Sequence, residues 1–575
     1  MGVGAPLLLI AAVSWPLPFS NATFSDDWIN HLWYMWHQSL AIRNNHAPSL
    51  FVNYSGGIFY PLYAFYGGTL YALAGTLSLA LGNAPMAAYI LTYLLGFAAA
   101  YGGWFWISYG CGVRGWLAHI PGVLFITSAY YLTMIYAVGD WPEFLAVSMM
   151  PLMIAAGLSV LRSPILRFGP AFALIASSVV FFGSHILTLV WGSTILTIVA
   201  VALLICVPGI RRTMTRAGSL RVAALVIPAL LLSAWFLLPT VAYQSHTTIA
   251  SGYAYFRTEL RETMYTVAAR HLFTFSRPPV SSSIVPVTLP ILAVAWTLAS
   301  IAILAWIGRW GTWMRALLII TVATTALGVL MTHAGLILAL PRAYATLQFS
   351  FRLESYLLMG ISGALVVVLA MARDGGLYLR RWTWLLAPVA AVSVIGAVAQ
   401  TRGHPQWLSR ATTALASYLN PLPEHPGQID YVYSPLTRYE QQLPLVQFPI
   451  SMVESKGRAS AVVQVPPNRL VATNIRGGPN LVSVTGAKIV GMDKQYDDVL
   501  EVAPSATVAQ SASATDTRTP GMTATISVGP ADPFPVVAGR AISLIALVVI
   551  AGELALIGIR EIRLRRAGES SAVES

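Results

Sequence analysis

Long apolar runs alternate with short polar breaks along most of this chain. A helix needs about 20 mainly apolar residues to cross roughly 30 Å of hydrocarbon. Runs of this kind fall near residues 3–18, 86–107, 117–136, 144–161, 169–183, 187–207, 222–243, 285–307, 316–331, 352–371, 382–399 and 541–559. The pattern predicts a mainly α, polytopic membrane protein of about twelve spans. Two stretches break the rhythm. Residues 21–85 contain the apolar run 70–81, too short to cross and suited to a helix lying in the interface or re-entering it. Residues 401–539 hold β-branched runs at 460–465, 469–474, 480–484 and 523–528, separated by Gly and Pro. These runs predict a small β domain before the last helix, with the Ser-, Ala- and Thr-rich stretch 506–520 as a loop inside it. The expected organisation is a transmembrane domain over 1–400, a β-rich domain over 401–539, and a last span with a basic tail over 540–575.

Composition agrees with this reading. Hydrophobic residues make up 56% of the chain and charged ones 10%, which excludes an ordinary soluble domain. The 17 Trp and 25 Tyr suit interfacial belts. The net charge of +12 is carried by Arg, since Lys occurs only at Lys456, Lys488 and Lys494. The Arg residues are scattered over short breaks such as Arg114, Arg162 and Arg167, Arg211 to Arg221, Arg309 and Arg315, and Arg373 to Arg381. That distribution is a topology signal, not a nucleic-acid surface. It predicts a plasma-membrane protein with both termini cytoplasmic and the segment after the first span outside. The first apolar run lacks a basic leader and is taken as a retained span. Cys111 and Cys206 lie beside expected cytoplasmic breaks, where a structural disulfide is not expected.

Acids are scarce, so their positions carry information. Asp26-Asp27-Trp28-Ile29-Asn30-His31 follows the first span. In a helix starting near Ser25, Asp27 and His31 share a face. One Asp could act as general base for an acceptor hydroxyl, with His31 orienting a sugar or contacting phosphate. Asp27 and His31 could also hold a divalent cation such as Mg, Mn or Ca. The plainer alternative is an acidic helix N-terminus. The segment Tyr54-Ser55-Gly56-Gly57-Ile58-Phe59-Tyr60-Pro61 could stack on a sugar or line a lipid groove, with Tyr60 as its candidate, or it could be a plain aromatic belt. Gly139-Asp140-Trp141-Pro142-Glu143 opens a span with an acid at membrane depth, where acids are costly and either functional or paired. A simple cap with Pro in the first turn is the alternative. Arg352, entering the tenth span, could grip phosphate or snorkel, and Arg342 is a weaker candidate of the same kind. His185 and His333 sit near expected outer ends. The cluster Arg257, Glu259, Arg261 and Glu262 reads as a solvated helix face. The absence of a P-loop argues against an ATP-driven pump, and the absence of HExxH against a zinc protease.

Taken together, Asp27-x-x-x-His31, Gly57…Tyr60-Pro61-Leu62, Tyr130-Tyr131…Gly139-Asp140-Trp141-Pro142-Glu143-Phe144 and Leu347-Gln348-Phe349-Ser350-Phe351-Arg352-Leu353 resemble the membrane proteins labelled 6-pyruvoyl-tetrahydropterin synthase-related. These are similar to YfhO-like proteins and the wider GT-C glycosyltransferases. The resemblance covers most of 26–371. It implies a GT-C-like fold, an acid in the first outer loop as catalytic residue, and a polyprenyl-phosphate sugar as donor. Asp140-Trp141-Pro142 departs from the Arg-Gly that usually precedes the acid in this pattern. The implied activity is sugar transfer to an extracytoplasmic cell-envelope acceptor (glycan, lipid or protein) with no nucleic acid involved. A transporter or flippase of lipid-linked glycans, or a non-catalytic protein of envelope assembly, are the alternatives.

Overall fold

The structure is a computed structural model. It describes residues 4–15, 28–53, 59–208, 214–247, 311–345, 350–374, 379–402, 437–448, 458–493, 498–503 and 523–573, together with the isolated positions 17, 211, 302 and 347. Asp26, Asp27, the cluster from Arg257 to Glu262, the expected span 285–307 and the loop 506–520 lie outside the described residues.

Each other expected span falls on an observed helix. Among the described residues six helices are long and apolar enough to cross a bilayer: Pro85–Gly110, Trp141–Arg162, Ile186–Cys206, Thr312–Met331, Glu354–Asp374 and Phe534–Arg566. Gly4–Ser14, Phe168–Gly183 and the apolar part of Leu379–Arg402, Leu386–Ala399, are shorter. Gly4–Ser14, at 11 residues, reaches only about 16 Å.

Two segments expected as continuous spans are bent. Gly115–Ile126 and Tyr130–Tyr136 meet at 49°, and Arg216–Leu231 and Ala234–Tyr243 at 66°. The second bend has a visible cause. In a straight helix the Trp235 N–H would bond the Leu231 carbonyl. Here the Ser543 hydroxyl, from the last helix, accepts from Trp235 N at 3.0 Å and donates to Leu231 O at 3.1 Å. A side chain inserted into the hydrogen-bond ladder opens the helix on that side and leaves both backbone groups satisfied. Apolar periodicity continues through such a break, so the sequence pattern does not register it.

Several Arg side chains bond helix C-terminal carbonyls. Arg162 reaches Gly110 O, Arg221 reaches Ser163 O, Arg315 reaches Cys206 O and Arg373 reaches Cys111 O. Cations there satisfy orphan carbonyls and oppose the negative end of the helix dipole. The N-termini of Trp141–Arg162, Ile186–Cys206 and Glu354–Asp374 lie at the other end of these spans and carry the buried polar groups described below.

The long segment after the first apolar run folds as helix α1 (Trp28–Asn45), a small antiparallel pair β1 (Val52–Asn53) and β2 (Phe59–Tyr60), and helix α2 (Gly68–Ala80). The expected interfacial run is α2. Its Leu70, Tyr71, Ala74, Gly75 and Ser78 are buried, so it lies within the protein core and not only against lipid.

The β region has two sheets. Ala459–Gln464, Thr523–Pro530 and Val482–Thr485 form an antiparallel three-stranded sheet with Thr523–Pro530 in the centre. The other has five strands, ordered Thr437–Arg438, Ala487–Met492, Asp498–Val502, Leu470–Thr473 and Leu445–Val446. The four β-branched runs seen in the sequence correspond to strands Ala459–Gln464, Leu470–Thr473, Val482–Thr485 and Thr523–Pro530. Both Cys111 and Cys206 are free thiols.

Candidate active site

The helix Ala129–Thr133 passes into a wide π turn, Met134–Val138, and ends at Gly139 with φ +72°. That left-handed conformation suits Gly, which carries no Cβ to clash. The turn delivers Asp140 to the start of Trp141–Arg162. Asp140 caps this helix, its Oδ1 accepting from Glu143 N at 3.2 Å, and Pro142 occupies the first turn, where its missing N–H costs nothing. The capping alternative and the functional one therefore apply to the same residue.

Asp140 and Glu143 are each 3% exposed. Arg352, on the 3-10 turn Ser350–Leu353, stands between them. Its Nη2 lies 3.5 Å from Asp140 Oδ2 and its Nε 3.5 Å from Glu143 Oε2. Tyr130 donates to Glu143 Oε1 at 3.1 Å. Glu354, the next buried acid, opens the following span and has Oε2 without a partner.

His31 lies on α1, 1% exposed. Its Nδ1 is 2.6 Å from the Tyr71 hydroxyl, and its ring lies parallel to Tyr66 with centroids 5.9 Å apart. Trp141 packs 6.4 Å from it and donates from Nε1 to Thr92. His185, the cap of Ile186–Cys206, is 2.8 Å from Thr188 Oγ1 and edge-on to Tyr66. Electrostatics join these pieces. Burial pushes the Asp140 carboxyl up, but His185, Arg352 and His31 outweigh it and leave it at about 2. Burial lowers His31 to about 4 against the pull of Asp140, and does the same to His185. At neutral pH the two imidazoles are uncharged, while Asp140 is ionised and faces Arg352.

Four sequence candidates, His31, Asp140, Glu143 and Arg352, are thus brought together, with His185 beside them. Arg352 is held in a double ion pair, so any phosphate it met would share it with two acids. Tyr60 falls on β2, paired with Val52, and its side chain lies outside the described residues. Arg342 is exposed on the short helix Arg342–Ala345, and His333 is exposed at the end of Thr312–Thr332. Sequence reading missed Tyr66, Tyr71, Tyr130 and Trp141. Only their place in quoted motifs marked Tyr130 and Trp141, and a tyrosine in an apolar run looks the same whether it packs or bonds an acid. Asp27, proposed with His31 as a metal ligand, lies outside the described residues. Among those described, no three His, Cys, Asp or Glu side chains converge to hold an ion.

The chain matches no protein-family model and no curated protein, so membership of the YfhO-like group finds no family match. Two solved membrane glycosyltransferases are similar in structure. One is the arabinofuranosyltransferase AftD from Mycobacteria, 17% identical, with a TM-score of 0.41 over 71% of this chain and 27% of that one. The other is the archaeal oligosaccharyltransferase AglB from Archaeoglobus fulgidus, in complex with an inhibitory peptide and a dolichol-phosphate. It is 13% identical, with a TM-score of 0.42 over 77% of this chain and 62% of that one. The chain thus spans about a quarter of the length of AftD and under two thirds of AglB. Likeness of this degree gives no residue correspondence.

Proposed function

We propose that this protein is a membrane glycosyltransferase that moves a sugar from a polyprenyl-phosphate donor to an extracytoplasmic cell-envelope acceptor. The supporting observation is the meeting of His31, Asp140, Glu143 and Arg352 at one end of the spans. Buried ionisable groups at such a place are expensive and are kept where chemistry uses them. In the sequence, residues 26–27 immediately precede the helix that carries His31.

In the proposed reaction Asp26 or Asp27 accepts the proton of an acceptor hydroxyl as that oxygen attacks the anomeric carbon. The new glycosidic C–O bond forms, the C–O bond to the lipid phosphate breaks with its electron pair leaving on phosphate, and configuration inverts. Arg352 and the Asp140–Glu143 pair shape the electrostatics around the departing phosphate. The β region would bind the acceptor or cover the site, and both termini would lie in the cytoplasm.

The test uses the full-length protein in nanodiscs with a panel of radiolabelled polyprenyl-phosphate sugars and envelope acceptors. Transfer that disappears in the Asp26→Asn/Asp27→Asn double variant supports the reading, and full transfer by that variant refutes the base assignment. Movement of lipid-linked glycan across vesicles without transfer would favour the transporter alternative.

A further inference from the structure

The carboxylate oxygens of Asp140 and Glu143 all have protein donors. Asp140 Oδ1 accepts from the Glu143 N–H at 3.2 Å and Oδ2 faces Arg352 Nη2 at 3.5 Å. Glu143 Oε1 accepts from the Tyr130 hydroxyl at 3.1 Å and Oε2 faces Arg352 Nε at 3.5 Å. A hard divalent ion would need several of these oxygens at roughly 2.0–2.6 Å. It would also sit against a guanidinium that cannot lose its charge. Arg352 already supplies a fixed positive charge between the two side chains, so a divalent ion there would add like charge to a buried cation.

We infer that Arg352 is the resident cation of the Asp140–Glu143 pair and occupies the place a divalent metal ion would otherwise take between the two acids. The inference concerns the site on which the proposed transferase reading rests, but it makes a claim about ion binding that needs no turnover. Lys at position 352 preserves the charge but not the fork that spans both acids. A neutral residue there leaves two buried carboxylates facing each other, an arrangement that recruits protons or metal ions.

The experiment is Mn²⁺ titration of the full-length protein in nanodiscs, read by electron paramagnetic resonance. It compares the native chain with Arg352→Gln, Glu143→Gln and Arg352→Gln/Glu143→Gln. The expected result is that the native chain and Glu143→Gln bind Mn²⁺ alike. Arg352→Gln should gain a site at least tenfold tighter than any Glu143-dependent binding in the native chain, and the double variant should lose it. The inference is overturned if the native chain shows Mn²⁺ binding that Glu143→Gln removes. It is equally overturned if folded Arg352→Gln gains no site. Should Arg352→Gln fail to fold, the comparison of native chain with Glu143→Gln still decides. Loss of transfer activity leaves these readouts untouched, so failure of the transferase reading and failure of this inference are separable.

Discussion

Tyr71 holds Nδ1 of His31 at 2.6 Å between α1 and α2, and Nε2 of the same ring is buried with no partner. The bond fixes the ring plane, and the stacked Tyr66 keeps it there. An unmet buried nitrogen costs about 1–3 kcal/mol. Such a nitrogen is free to meet a group that enters the site. This gives His31 a place in the site independent of whether Asp27 works beside it.

The Asp140–Arg352–Glu143 group should behave as one unit. Removing one member of a buried ion pair leaves an uncompensated charge and costs roughly 3–5 kcal/mol. Arg352→Met, which leaves Asp140 without its cation, is therefore expected to lower stability strongly, and Glu143→Gln by less because Asp140 still pairs with Arg352. The combined variant should fall by clearly less than the sum, with a coupling of about 0.5–3 kcal/mol. Thermal unfolding of the four proteins in one detergent measures this, and simple additivity would show that the contacts are not coupled.

Acid should weaken the fold through three histidines. His31, His37 and His185 are each lowered by burial to about 4, against an ordinary value of 6.5. As pH falls below 6.5 the unfolded chain takes up these protons first, so stability is full above that value and is lost as pH falls toward 4. Each histidine contributes up to about 1.4 kcal/mol per pH unit in that window. His37→Phe should flatten the dependence of unfolding temperature on pH between 7 and 5, and an unchanged slope would count against buried neutral His37.

The bend at Leu231–Ala234 depends on the last helix. A Cβ at Gly539 would meet Ala234 O at 2.5 Å, whereas a Cβ at Gly552 on the same helix meets nothing within 4 Å. Gly539→Val should therefore destabilise by about 1–3 kcal/mol, and Gly552→Val only slightly. Ser543→Ala removes the bridging hydroxyl and should cost about 1–3 kcal/mol, because Leu231 O and Trp235 N are left unpaired. Protease resistance in detergent ranks the three variants, and equal behaviour of the two glycine variants would refute the contact.

Sidedness can be read with thiols. Cys206 is exposed, and Ala47 is exposed after α1. On intact cells an impermeant maleimide is expected to label Ala47→Cys in a Cys111→Ser/Cys206→Ser background. It should miss Cys206 in the native chain until the membrane is opened. The reverse pattern would put the candidate site in the cytoplasm.

Much of this molecule is decided locally. Runs of about 20 apolar residues have one stable solution in a bilayer, a helix that satisfies its own backbone, so the spans and the strands of the β region follow from the order of residues. The same reasoning marks Asp140, Glu143 and Arg352 as unusual, since each is costly at membrane depth. It does not say that Arg352 answers both acids, that Tyr71 locks His31, or that Ser543 opens a helix far from it in the chain. Each is a contact between distant segments, set by how whole helices pack, and the energy of a charge or a hydroxyl depends on what packing places within about 3–4 Å of it. Sequence determined the elements and the rare polar positions; tertiary structure decided which of those positions meet, because hydrophobicity draws helices together without choosing their polar partners.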